Sequence, residues 1–141
     1  MRFVLDASLV GDWFLPGQQT AATSAVFDAY RASTIQFVAP DTLALEFAHA
    51  LGKELRRGHL TPDEAREIWV DFRALLIDLR PIGGLVGEAF RLATDQNGVV
   101  YDALYVALAQ VEGIPVLTAD ARMRNAFLAL DVVTLVTDLR L

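Results

Sequence analysis

A chain of 141 residues is long enough for one domain with a buried core, and 54% apolar residues with positive mean hydropathy suit a packed globular protein. No apolar run approaches the roughly 18–20 residues that cross a bilayer, the acid at position 6 comes too early for a secretory signal, and the lack of cysteine excludes disulfides, a thiol nucleophile and cysteine-bound zinc. A single domain over residues 1–141, cytoplasmic and not membrane-bound, is the expectation. The net charge of −6 argues against a surface that grips nucleic acid by bulk charge, although the remainder is only −2 if four of the eighteen acids gather around metal.

In chain order, Arg2–Leu5 reads as a short strand, apolar on both faces, that ends at Asp6. Leu9–Leu15 reads as a helix stopped by Pro16-Gly17, and Thr20–Ala32 as a second helix with Ala25, Val26 and Ala29 turned inward. Gln36–Ala39 is a second strand. Pro40-Asp41 then opens a helix to about Arg57, with Gly58 just past its end. Thr61, Pro62 and Glu64 form a capping box with proline at the first helical position. The helix they start carries Ile68, Trp69, Phe72, Leu75, Leu76 and Leu79 at helical period.

Asp78–Ile82 reads as a short strand, Gly83-Gly84 as a break, Leu85–Thr94 as a helix and Asp95 to Gly98 as a turn. Tyr101–Glu112 is apolar nearly all round, so it is a buried helix, and Gly113 ends it. Pro115–Thr118 is a strand, Asp120–Leu130 a helix and Val132–Val136 a last strand. Short apolar strands alternating with helices imply βαβ units and a parallel sheet. Open sheets of that kind place ligands beyond the carboxyl ends of their strands, at a topological switch point. Asp6 and Asp120 both fall on that edge.

Four acids compete for a chemical role. Asp6, Asp102 and Asp120 stand at element junctions, where capping or turn formation also accounts for aspartate. Glu46 lies at the margin of the apolar stripe Leu43, Phe47, Ala50 and Leu51, with His49 and Lys53 along the same ridge. An acid there is costly to bury unless paired or bound to metal. Two unit charges about 4 Å apart repel by roughly 4 kcal/mol at an effective dielectric near 20. Four converging carboxylates therefore need a counter-charge. Magnesium or manganese fits, because hard divalent ions prefer carboxylate oxygen, and such a site can activate water against a phosphodiester.

The segments Phe3-Val4-Leu5-Asp6-Ala7-Ser8, Pro40 to Leu51, Tyr101-Asp102-Ala103-Leu104-Tyr105-Val106-Ala107-Leu108-Ala109 and Pro115-Val116-Leu117-Thr118-Ala119-Asp120 together resemble the PIN-domain nucleases, and among them the VapC-type toxins of toxin–antitoxin pairs. The resemblance covers almost the whole chain. It implies a three-layer α/β/α fold around a parallel sheet of four to five strands, and a magnesium- or manganese-dependent endoribonuclease. Asp6, Glu46, Asp102 and Asp120 would be its catalytic acids. Asp6 and Asp102 would be the primary metal ligands and Asp120 a further one, with Glu46 holding metal or the attacking water. Ser8 and Thr118 would be supporting hydroxyls.

The resemblance further implies an RNA substrate, a cognate antitoxin whose C-terminal segment blocks the site, and a homodimer. His49 departs from the family, which often has asparagine there. Lys53, Arg56, Arg57 and His59, with Arg122 and Arg124, are candidate phosphate contacts around the acids or ordinary solvated faces. Trp13 and Phe14 serve either a core or an antitoxin groove.

Other readings are an RNA-processing nuclease of the same family without a toxin role, a catalytically silent PIN module, and a phospho-accepting receiver domain. The receiver needs adjacent acids after the first strand and a late lysine. The only lysine here is Lys53.

Overall fold

The computed structural model describes residues 1–141. Its elements run β1 (Arg2–Leu5), α1 (Ala7–Phe14), α2 (Ala21–Arg31), β2 (Gln36–Pro40), α3 (Thr42–Arg56), α4 (Pro62–Ala74), β3 (Asp78–Arg80), α5 (Val86–Gln96), α6 (Val100–Glu112), β4 (Val116–Thr118), α7 (Ala121–Ala126) and β5 (Val133–Leu135), with short 3-10 turns after α7 and β5. The five strands form one parallel sheet in the order β3-β2-β1-β4-β5. The α/β/α architecture expected from the sequence is the one observed.

The sheet is buried on both faces because alternate residues of its central strands point opposite ways. Phe3, Leu5, Phe37, Ala39 and Leu117 pack into a core shared with α1 to α4. Val4, Val38 and Val116 pack into a second core with α5 and α6. From β1 the chain crosses outward to β2 and β3, and later returns to β4 and β5 on the other side. The switch point therefore lies between β1 and β4, whose carboxyl ends carry Asp6 and Thr118 to Asp120.

Several boundaries differ from the sequence reading for local reasons. α4 ends at Ala74, and Leu76 adopts a left-handed φ of 52° and is 86% exposed. Its apolar period ran past Ala74 because Leu75 still packs partly against the core just beyond the helix end, so periodicity alone overran that end. On α2 Val26 and the partly buried Ala29 face the core as expected, joined by Thr23, while Ala25 is exposed. α5 extends through Gln96 and closes on Asn97 in the left-handed region, where a turn starting at Asp95 was expected. The capping box of Thr61 and Glu64 and the left-handed Gly58 and Gly113 after their helices match the sequence signals.

Candidate active site

Asp6 follows β1 directly and serves as the N-cap of α1. Its Oδ2 receives three bonds: from the Ser8 amide at 3.4 Å, the Ser8 hydroxyl at 2.5 Å and the Thr118 hydroxyl at 2.7 Å. The same hydroxyls tie the two strand ends together. Ser8 Oγ accepts from the Ala119 amide at 3.0 Å, and Thr118 Oγ1 accepts from the Asp120 amide at 2.9 Å. Asp6 is 5% exposed, and burial raises its carboxyl above the ordinary range despite these donors. Ser8 and Thr118, expected as supporting hydroxyls, are thus both in contact with the first aspartate.

Glu46 reaches the same region from the first half of α3. The Tyr105 hydroxyl donates to its Oε1 at 3.0 Å. Burial pushes the Glu46 carboxyl up to about 7, with repulsion from Asp6 and Asp102 adding to the shift and the Tyr105 and Thr42 hydroxyls opposing it. Asp102 stands in the first turn of α6. The N-cap there is Val99, with no side-chain capping bond, so capping does not explain Asp102. Burial, then repulsion from Asp6 and Asp120, pushes its carboxyl up to about 6.

Asp120 does cap its helix. Its Oδ1 accepts from the Arg122 amide at 2.8 Å, and the Arg122 guanidinium lies at 3.3–3.4 Å from both carboxylate oxygens. The Arg122 side chain is 94% exposed, so this pairing is loose and screened. It is the only basic group that pairs with any of the four acids.

The other basic candidates do not gather here. His49 and Lys53 are exposed on α3. Arg57 and His59 are drawn to the buried Glu54, with His59 Nδ1 at 2.7 Å from its Oε2. Lys53 lies two helical turns beyond Glu46, roughly 10 Å along the axis. The basic cluster thus belongs to the far end of α3 rather than to the rim of the acids. Trp13 is a core residue, its indole N–H donating to the Thr23 carbonyl at 2.9 Å. Phe14 lines a groove of about 750 Å³ with Phe27, Tyr30, Ile35 and Leu75.

Sequence position did not single out Tyr105 for a role. A signal for it exists all the same: a tyrosine in an otherwise apolar helix must find a partner for its hydroxyl when buried.

No three carboxylate or histidine side chains stand close enough, as placed, to close around an ion. The donor chemistry nevertheless fits a hard divalent cation. Burial raises all three acids, repulsion from Asp6 raises Glu46 and Asp102 further, and only the exposed Arg122 offsets any of this, at Asp102. The residues that could hold such an ion are Asp6 and Asp102, with Asp120 beside them.

The PIN domain family profile matches residues 3–127. Ribonuclease VapC3 of Pyrobaculum aerophilum is 36% identical over 135 residues, spanning 92% of this chain and 98% of that one. Ribonuclease VapC12 of Mycobacterium tuberculosis is 30% identical over 123 residues, spanning 87% and 90%. A solved chain described as a toxin-antitoxin complex from Klebsiella pneumoniae superposes with a TM-score of 0.68 over 97% of this chain and 99% of that one, at 14% identity, which is a likeness of fold. No helix is long and apolar enough to cross a membrane. The extent of the profile match and the relatives' near-complete overlap lead to one conclusion: this chain belongs to the PIN-domain family, alongside relatives named VapC ribonucleases.

Proposed function

We propose that the chain is a magnesium- or manganese-dependent endoribonuclease acting as the toxin of a toxin–antitoxin pair. The observation that carries this reading is the set of acids at the switch-point edge, where burial raises Asp6, Glu46 and Asp102 and repulsion from Asp6 adds to the shift of the other two. The VapC names of the relatives support ribonuclease chemistry, and the structural neighbour, a toxin-antitoxin complex, supports an antitoxin as partner.

The chain's residues divide the work by position. Asp6 is held rigidly because Ser8 and Thr118 both bond its Oδ2. Asp102 carries no capping duty and is available to an ion. A bound divalent ion would supply the counter-charge for these acids and polarise both water and phosphodiester. Glu46 Oε2, the oxygen not engaged by Tyr105, is the base to which a proton from the attacking water would pass. Arg122, nearly all in solvent, is available to a phosphate oxygen.

The groove lined by Phe14, Phe27, Tyr30, Ile35 and Leu75 offers an apolar channel for an antitoxin segment. Exposed Val86 and Phe90, one turn apart on α5, give apolar surface for a second copy of the chain.

The test is cleavage of structured RNA by purified, partner-free protein with magnesium or manganese, beside Asp102→Asn. Cleavage should require the ion and fall by roughly a hundredfold or more in the variant, the scale on which loss of one transition-state contact is felt. Equal cleavage by both proteins, or none by wild type with either ion, overturns the reading.

A further inference from the structure

Tyr105 is the largest fully buried side chain in the molecule. It lies three residues after Asp102 on α6, and its ring packs in the core that also holds Val4, Val38 and Val116. A buried phenol needs a hydrogen-bond partner. Here the partner is neither a backbone carbonyl nor a neighbour on the same helix. It is Glu46 Oε1, 3.0 Å away and 59 positions earlier in the chain.

Glu46 has few other restraints. It is half-buried and able to turn toward solvent, and Asp6 and Asp102 both repel it. Thr42 Oγ1, one turn earlier on α3, is buried and near enough to favour the charged Glu46 carboxylate, but it makes no hydrogen bond of good geometry to it. The phenol is therefore the one well-formed bond that keeps this carboxylate facing the other acids. A neutral donor suits the task. A lysine or arginine would neutralise the charge that a cation needs, whereas a phenol fixes the carboxylate and leaves its charge in place.

We infer that Tyr105 is a positioning residue, acting through Glu46: its hydroxyl holds the Glu46 carboxylate inside the acidic pocket against repulsion from Asp6 and Asp102, so that Glu46 adds its charge to a divalent-cation site. This rests on the metal-dependent reading proposed above. Without the phenol the ring still fills its slot, but the carboxylate swings outward and its charge is lost to the pocket.

Manganese binding, read by calorimetry or by water-proton relaxation, tests this without reference to turnover. Tyr105→Phe should weaken manganese binding about tenfold or more, the scale of one hydrogen bond to a charged group. Glu46→Gln should weaken it at least as much. Adding Tyr105→Phe to Glu46→Gln should then change the affinity by no more than about twofold, because the residue that Tyr105 acts through no longer carries charge.

Glu46→Asp withdraws the acid by one methylene and leaves the buried ring intact, so it should lose about as much affinity as Tyr105→Phe even where that variant folds poorly. Wild-type affinity in both Tyr105→Phe and Glu46→Asp overturns the inference. So does an equal loss from Tyr105→Phe in the wild-type and Glu46→Gln backgrounds, which marks a purely structural role. Wild type that neither binds manganese nor cleaves RNA removes the proposed function itself, a result distinct from wild type that binds while Tyr105→Phe binds equally well.

Discussion

Thr118 joins the two strand ends on which the site stands. Its hydroxyl donates to Asp6 Oδ2 and accepts from the Asp120 amide, and the residue is fully buried. Thr118→Val keeps the branched shape and removes both bonds. The Asp120 amide is only half-buried, so losing its acceptor costs about 1 kcal/mol, the low end for an unsatisfied donor, and urea unfolding should show a stability loss of that order. Asp6 also loses a donor that favours its charged form, and RNA cleavage should fall about tenfold or more, as for removal of a ligand-supporting hydrogen bond. Thr118→Ser should restore both properties, since the hydroxyl is what matters. A Val variant with wild-type stability and cleavage would show the network to be incidental.

Among elements, the α5–α6 hairpin decides where Asp102 is presented. Asn97 caps α5 in the left-handed region, and Gly98 follows before α6 begins at Val100. A Cβ on Gly98 would stand 2.6 Å from Phe127 Cζ. Phe127 is fully buried, so its ring has no room to withdraw. Gly98→Ala should therefore destabilise the protein by about 1–3 kcal/mol, the usual cost of overpacking, measured as a lowered melting temperature. An unchanged melting temperature would mean that the ring relocates freely.

Much of this scale was legible beforehand. Apolar runs and capping signals such as Thr61-Pro62 with Glu64, and Gly113 after α6, mark the elements because they act over one or two turns. What escaped was tertiary. Asp102 looks like a cap in sequence, and only the placement of the N-cap at Val99 frees it. Asp6 and Asp120 are caps and members of the acid cluster at once, so their local signal hides their long-range one. The Tyr105–Glu46 bond spans 59 residues and leaves no periodic trace.

At the scale of the whole molecule, folding brings acids from four separate segments to one edge of the sheet and holds them there without lysine or buried arginine. That concentration carries a stability cost that depends on pH. Folding raises Asp102 to about 6 and Glu46 to about 7 from their ordinary values of 3.8 and 4.5. Below about pH 4 both groups are protonated, folded or unfolded, and cost nothing. As pH rises toward 7 the unfolded chain releases these protons before the folded one does, so the unfolded state is favoured progressively.

The carboxylates that folding lowers, Glu64 and Glu88, titrate below this window and do not mask the trend. In chelator, the melting temperature should therefore be higher at pH 5.5 than at pH 7.5 by a few degrees, on the order of 3–5 °C for a domain of this size. Manganese at pH 7.5 should recover most of the difference, because the bound ion replaces the missing counter-charge and stabilises the folded state by mass action. The double variant Asp102→Asn, Glu46→Gln should flatten the pH dependence and lose the response to manganese together. A melting temperature that rises from pH 5.5 to 7.5 in chelator would show that the acids are too far apart, or too well solvated, to strain one another, and that their meeting at the sheet edge is not electrostatic in its consequences.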